Sequence, residues 1–151
     1  MQCANTMVKM QQRKKNYTEL ISLPTFIDRF NYLKLDGKVG EETFGAERYL
    51  NQILYRSNAW KTVRKDVLIR DCGCDLGCSD RVLGRGERVY VHHINPITVE
   101  MVLNRDLELF DSENLITCSH FTHLAIHYGD ESLLIEDPII RKPNDMIPWR
   151  Q

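Results

Sequence analysis

Apolar positions recur at helical spacing in the middle of the chain. Residues 46–56 show this spacing, and a second helix is predicted to follow a cap at Ser57 or Asn58. One face of this second helix is apolar, and its basic residues lie largely elsewhere. The apolar residues are Trp60, Val63, Val67 and Leu68, and the basic residues are Lys61, Arg64, Lys65 and Arg70. The apolar face should pack inward, whereas the basic face is expected to be solvated unless an active site lies beside it.

Two short segments further along have the composition of strands. Residues 88–92 are mostly β-branched and aromatic, which predicts a short strand that ends in the doublet His92-His93. The pair Asn95-Pro96 should break that strand. Residues 114–118, an apolar run headed by an asparagine, predict a second strand or extended segment.

A short helix is expected after the second strand. It should start after Ser119 or Thr122 and end near Gly129, a residue type that commonly terminates helices. Residues 72–80 are rich in Gly and Asp, which predicts a turn-rich loop. Residues 98–113 are predicted to form a loop or an irregular helix.

The chain divides into an arm and one domain. Residues 1–30 are interpreted as an N-terminal arm that is partly flexible, with a basic cluster that should be solvated but could touch nucleic-acid phosphates. Residues 31–151 are predicted to form the domain, with a motif core at residues 57–129 and an extended C-terminal tail that contains three prolines. The mixture of helices and short strands predicts an α+β fold.

Size and composition are those of an ordinary globular protein. The chain has 151 residues, of which 42% are hydrophobic and 27% charged, enough for one domain with a buried core. No apolar run approaches the roughly 20 residues of a membrane span, and the N-terminus lacks the long apolar core of a secretory signal. We therefore expect a cytoplasmic protein whose cysteines, an odd number, stay mostly reduced.

Charge is unevenly distributed along the chain. The net charge is −1, but residues 56–70 contain basic residues and only one acid, Asp66. A near-neutral protein with a local basic face can still bind a polyanion. Three arginines near the histidine doublet, Arg81, Arg85 and Arg88, could steer or clamp a nucleic-acid backbone, since phosphate contacts carry no sequence information.

The histidines are the most informative residues of the chain. Four of the five are His92, His93, His123 and His127, and the last two are four residues apart, so on a helix they project from one face. This spacing suits two nitrogen ligands of one metal ion. Neighbouring residues of a strand point to opposite sides, so one histidine of the doublet can reach the metal while the other is free to act as a general base. Histidines that are simply tolerated at a surface are the weaker interpretation.

Residues 57–127 resemble the HNH endonucleases, whose fold is the ββα-metal (His-Me finger) fold. The similarity runs through Ser57-Asn-Ala-Trp60, Arg64-x-x-x-Leu68-x-Arg70-Asp71, Val91-His-His-Ile-Asn-Pro96 and Asn114-Leu-Ile-Thr-Cys118-x-x-x-x-His123. The interval from Asn114 to His123 and the His-x-x-x-His that follows are similar to the colicin-type members. Segments at residues 31–35, 40–44 and 141–145 resemble small phage-encoded proteins of the family.

The resemblance implies a role for each matching residue. His92 matches the position that binds a divalent metal, His123 matches the last position of the motif and should also bind it, and His127 matches an additional ligand present in only part of the family. His93 matches the general base that deprotonates the attacking water. Asn114 matches the family asparagine, which either braces the loop that holds the base or contributes to the metal site. A carbonyl on the other nitrogen of His93 would orient its ring.

The resemblance also implies a ββα-metal core, on which we expect the N-terminal helices to pack. Many members add a structural zinc bound by two Cys-x-x-Cys pairs, but Cys74 and Cys78 are separated by three residues and Cys118 lacks a partner at the matching position. A structural zinc site that combines these three cysteines with Cys72 or His120 remains an alternative. Loop and core roles for the cysteines are the favoured interpretation.

The implied function is a metal-dependent DNA endonuclease of phage or prophage origin, acting in the cytoplasm of a bacterial host. Its cofactor would be Mg, Mn, Ni or Zn, and three imidazole ligands favour a transition ion over magnesium alone. Its partners would be DNA and, as a further candidate, phage packaging proteins, with no membrane. The main alternative is a nucleic-acid-binding module that keeps the fold without cleavage. A structural phage protein that binds metal adventitiously is a third hypothesis.

Overall fold

The computed structural model describes residues 13–35, 48–76 and 81–134. Within these ranges the chain is α+β, with helices around two small antiparallel pairs of strands. The helices are α1 (Tyr17–Ile21), α2 (Phe26–Leu33), α3 (Arg48–Arg56), α4 (Asn58–Arg70), α5 (Val99–Leu103) and α6 (His120–Tyr128). The strands are β1 (Cys74–Asp75), β2 (Arg81–Val82), β3 (Val89–His93) and β4 (Leu115–Ser119). Short 3-10 turns lie at Leu107–Phe110, Ser112–Asn114 and Glu131–Leu133.

The antiparallel pair β3–β4 lies between two groups of helices. Every residue of β4 is buried, because alternate side chains enter different apolar clusters. Leu115 packs with the apolar face of α4, whereas Ile116 packs with Ile126 of α6. In the register of the pair, His93 is opposite Leu115 and His92 is opposite Ile116. The pleat therefore directs the two histidines of the doublet to different sides.

Helix α6 follows β4 without a loop, and a capping residue defines each of its ends. The Ser119 hydroxyl caps the first turn by accepting from the Thr122 amide at 3.1 Å. The buried carboxylate of Asp75 accepts from the Thr122 hydroxyl at 2.7 Å and from the Ser119 amide at 3.1 Å. The helix ends at Gly129, whose φ of 64° lies in the left-handed region. These contacts fix the start of α6 relative to β4.

Two short helices near the N-terminus pack onto this core. Asn16 caps α1 and Thr25 caps α2, and Leu20 and Leu33 are fully buried in the cluster that contains Ile116 and Ile126. Part of the segment that the sequence analysis assigned to an arm therefore forms helices whose apolar residues enter the core. Residues 1–12 lie outside the described ranges.

The sequence predicted most of the described elements around the histidines. Both strands, the helix to Gly129, the two middle helices and the burial of Trp60, Val63 and Val67 agree with the structure. Inside the predicted loop at residues 72–80, β1 pairs with β2, while residues 77–80 and the C-terminal tail at residues 135–151 are not among the described residues. Among those that are described, no helix has the length and apolar composition to span a membrane.

Candidate metal centre

Three histidines from β3 and α6 converge. One ring nitrogen from each of His92, His123 and His127 lies within 4.8 Å of the other two. The rings of His123 and His127 are one helical turn apart, with centroids separated by 4.3 Å, and the His92 ring meets each of them nearly edge-on, at 5.3 and 5.0 Å. Of the two histidines in the doublet, His92 is therefore the one whose side chain points toward His123 and His127 on α6.

The chemistry of these nitrogens fits a divalent ion. The Nε2 atom of His92 is buried and has no hydrogen-bond partner within the described part of the chain, which is costly for a polar atom unless something else satisfies it. The Nε2 atoms of His123 and His127 are 3.1 Å apart. Two nitrogens bound to one tetrahedral zinc ion at about 2.0–2.1 Å would lie roughly 3.3 Å apart. Three imidazoles with this spacing suit a transition ion such as zinc or nickel.

The environment keeps these rings uncharged near neutral pH. Burial lowers the pKa of His92 well below its usual value, and the neighbouring rings of His123, His127 and His93 lower it further. Burial, with His127 and His120 nearby, lowers the pKa of His123 to about 4, and burial also lowers the pKa of His127. A neutral imidazole is the form that donates a lone pair to a metal.

His93 lies on the other side of β3, against α4. Its Nε2 atom is 2.9 Å from the carbonyl oxygen of Leu109, and its ring stacks on the indole of Trp60 with centroids 5.2 Å apart. Because a carbonyl only accepts hydrogen bonds, Nε2 must carry the proton, and in the neutral ring Nδ1 holds the lone pair. Burial lowers the pKa of His93 to about 4, although the bond to Leu109 acts in the opposite direction. This carbonyl contact agrees with the orientation expected from the sequence.

Asn114 braces the loop that holds His93. Its buried side-chain oxygen accepts from the amide of Asn95 at 3.0 Å and from the Asn95 side chain at 2.7 Å. Its Nδ2 donates, over a longer distance of 3.4 Å, to the carbonyl of Glu108, the residue before Leu109. Of the two roles that the sequence left open for Asn114, these contacts favour the bracing one.

Two further rings extend the histidine cluster. Tyr90 stacks on His123, with centroids 4.8 Å apart and an angle of 14° between the planes, and it lies 5.6 Å from His120. The Nδ1 atom of His120 is buried, and none of the described residues provides it with a hydrogen-bond partner. His120 is nevertheless not a member of the group of converging nitrogens.

The basic residues and cysteines occupy other positions. Arg85 and Arg88 are exposed on the segment that leads into β3, and Arg81 begins β2. Cys72 is exposed, Cys74 half-buried and Cys118 buried, and Cys78 lies outside the described residues. Within the ranges that the structure describes, the histidine trio is the only group of three or more His, Cys, Asp or Glu close enough to hold one ion.

Sequence reasoning missed several residues that shape the site. Trp60 was predicted only as a core residue, Asn95 only as a strand breaker, and Leu109 fell in a segment predicted as a loop or an irregular helix. Trp60 and Asn95 both lie in the sequence motifs quoted above, so their positions carried a signal. Leu109 acts through its backbone carbonyl, which side-chain identity cannot reveal. Comparison of the chain with protein-family models, curated proteins and solved structures found no match.

Proposed function

We propose that this protein is a metal-dependent DNA endonuclease of the HNH type, which hydrolyses phosphodiester bonds with His93 as the general base. In this proposal β3, β4 and α6 form the ββα-metal core, and the protein is phage or prophage encoded and acts in the bacterial cytoplasm. The observation that carries the proposal is the convergence of His92, His123 and His127 beside a fourth histidine that is held separately.

The three converging histidines would hold the ion through their neutral rings. A divalent ion bound there would supply Lewis-acid stabilisation of the charge that develops on phosphate oxygens. The partial burial of the site supports this role, because a water-poor surrounding strengthens electrostatic interactions. The strongest single argument that a ligand belongs among these rings is the buried Nε2 atom of His92, for which the described residues provide no hydrogen-bond partner.

The Nδ1 atom of His93 would accept the proton of the attacking water. Within the described ranges Nδ1 makes no hydrogen bond, whereas Nε2 is committed to the Leu109 carbonyl. General-base catalysis by a positioned side chain contributes on the order of 10²–10⁴ in rate. Asn114 supports this step indirectly, because it holds the Glu108 carbonyl next to the one that orients the base.

Exposed arginines near the doublet would hold the DNA backbone. Arg85 and Arg88 are exposed just before β3, and the carbonyl of Arg88 accepts from the His120 amide at 3.1 Å, which places this segment against the start of α6. Contacts of this kind bind phosphates without selecting a base sequence. Affinity for DNA should therefore fall steeply as salt is raised.

A plasmid assay with a matched metal-binding measurement tests the proposal. Supercoiled plasmid would be incubated with the wild-type protein and with His93→Ala in magnesium, manganese, nickel or zinc. We expect nicking by the wild type with at least one ion and a loss of roughly 10²-fold or more in His93→Ala. Calorimetric affinity for the same ion should be unchanged in His93→Ala. Equal nicking rates for the two proteins would refute the role of His93.

One observation favours the non-catalytic alternative, a nucleic-acid-binding module with the same fold. The His93 residue is only 7% exposed and is covered on one face by Trp60, so a water must reach it by a narrow approach. The plasmid assay separates the two functions. Salt-sensitive DNA binding without nicking in any of the four ions would support the binding module.

A further inference from the structure

The rings of Tyr55, Trp60 and His93 contact one another in series, from the α3–α4 junction to β3. Tyr55 lies near the end of α3, and its ring meets the indole of Trp60 edge-on, with centroids 5.0 Å apart and an angle of 71° between the planes. Trp60 then stacks on His93 at 5.2 Å, with the planes inclined by only 22°. Ser57 caps α4 and accepts from the Trp60 amide at 3.1 Å, which fixes the backbone from which the indole projects.

We propose that Trp60 is a positioning residue that sets the orientation of the His93 ring. The inference rests on the proposed function only in naming His93 as the base. The hydrogen bond to Leu109 restrains the Nε2 atom, but a single hydrogen bond leaves the imidazole some freedom to rotate about its Cβ–Cγ bond. A flat surface stacked on the ring face removes that freedom. Together the two contacts define the direction of the Nδ1 lone pair.

If Trp60 were only a core residue, truncating another residue of the same cluster should affect catalysis as much as truncating Trp60. Trp60 shares its apolar cluster with Val63, Val67 and Leu115, so any of these residues can be truncated to weaken the same core. Within this cluster, Trp60 is the residue whose flat face stacks on the His93 ring. Val67, which is almost fully buried about two helical turns further along α4, therefore provides a matched control for loss of core packing.

The first test needs no substitution. In metal-free wild-type protein at pH 7.5, long-range ¹H–¹⁵N spectra should show His93 as a single tautomer protonated on Nε2. The ring protons of His93 should be shifted upfield by the indole current of Trp60. Two tautomers in exchange, or unshifted ring protons, would overturn the proposal. This measurement depends neither on metal nor on DNA cleavage.

The second test compares Trp60→Phe, Trp60→Leu and Val67→Ala. Phenylalanine keeps a flat face, so Trp60→Phe should retain the Nε2 tautomer and nick DNA at close to the wild-type rate. Trp60→Leu should show mixed tautomers and a kcat lower by roughly ten- to hundredfold, the effect of misplacing a catalytic group, with KM for plasmid unchanged. Val67→Ala should lower the melting temperature while leaving the tautomer and kcat as in the wild type.

The outcomes separate failure of the positioning role from failure of the nuclease. If Val67→Ala and Trp60→Leu lower kcat equally at a matched loss of stability, or if Trp60→Leu keeps a single tautomer, Trp60 is only a core residue. If no protein nicks DNA but the tautomer responds to Trp60→Leu as expected, the positioning role holds and the nuclease proposal fails. Should Trp60→Leu not fold, unshifted His93 ring protons or two exchanging tautomers in the wild-type spectrum would still overturn the proposal.

Discussion

The Nε2 atoms of His123 and His127 lie 3.1 Å apart, one helical turn from each other on α6. At this distance two neutral imidazoles either share a proton between them or direct both lone pairs at a common cation. The buried Nε2 of His92 has no partner within the described residues, and one ring nitrogen of His92 lies within 4.8 Å of a nitrogen of each of the other two rings, so one cation could bind all three imidazoles. The arrangement therefore favours metal binding over an isolated hydrogen bond.

Removal of any histidine of the trio should weaken metal binding. His92→Ala, His123→Ala and His127→Ala each delete one nitrogen of the converging group, and we expect the affinity for zinc or nickel to fall by at least roughly tenfold, as outer-shell changes already cost that much. Isothermal titration calorimetry measures the effect. His120→Ala is the matched control, because its ring lies outside the trio, and it should bind as tightly as the wild type. Wild-type metal affinity in His92→Ala would contradict the assignment of His92 as a metal ligand.

A bound ion should stabilise the fold. Zinc or nickel at about 100 times its dissociation constant should add about 2.7 kcal/mol to the free energy of unfolding. Thermal melts followed by circular dichroism, with and without metal, provide the measurement, and EDTA should reverse the gain. His92→Ala should show little of this increase, whereas the same increase in wild type and His92→Ala would point to binding elsewhere.

The metal-free protein should lose stability as pH falls from 7 to 4. The pKa of His93 and of His123 is about 4 in the fold, against an ordinary value of 6.5. Below about pH 6.5 the unfolded state therefore binds more protons, and the stabilisation present above that pH disappears as pH falls through the folded pKa. For His93 alone the loss is roughly 3 kcal/mol by pH 4.

Urea unfolding in EDTA at a series of pH values checks this dependence. His123→Ala should have a shallower pH slope than the wild type, because it lacks one of the buried rings. A free energy of unfolding that stays constant between pH 6.5 and pH 4.5 would rule out the buried neutral histidines.

Asn114→Ala should impair catalysis without weakening metal binding. The substitution leaves the Asn95 amide and the Glu108 carbonyl without their partner, which should cost about 1–3 kcal/mol of stability. It should also loosen the loop that carries Leu109, so that kcat falls. Asn58→Ala, at an exposed position at the start of α4, serves as the control. A loss of metal affinity in Asn114→Ala would instead assign Asn114 to the metal site.

Gly129→Ala should destabilise the protein more than Gly86→Ala does. Both glycines have positive φ, so both substitutions introduce backbone strain. A Cβ at position 129 would also lie 2.7 Å from the carbonyl oxygen of Leu35, whereas a Cβ at position 86 meets nothing within 4 Å. We expect a loss of about 1 kcal/mol for Gly86→Ala and a larger one for Gly129→Ala, measured by urea unfolding. Equal losses would mean that Leu35 moves aside without cost.

Local patterns were sufficient for the elements that carry the histidines. The β-branched run before His92 predicts β3, and the spacing of His123 and His127 predicts that both lie on one helix face, because side-chain direction follows directly from backbone period. The cap at Ser119 and the stop at Gly129 are also encoded in neighbouring residues. The same cannot be said of residues 98–113, which were predicted as a loop or an irregular helix and in which the structure has one short helix and two 3-10 turns.

What the amino-acid sequence by itself determined is the chemistry available: which imidazoles lie on a strand end and which on a helix face. Only the tertiary structure decided that His92 meets the helix pair while His93 faces Trp60 and the Leu109 carbonyl. The physical reason is that these contacts join residues far apart in the chain, and one of them uses a backbone atom that every residue possesses. Their geometry depends on how α4, β3 and α6 pack, which no local periodicity encodes.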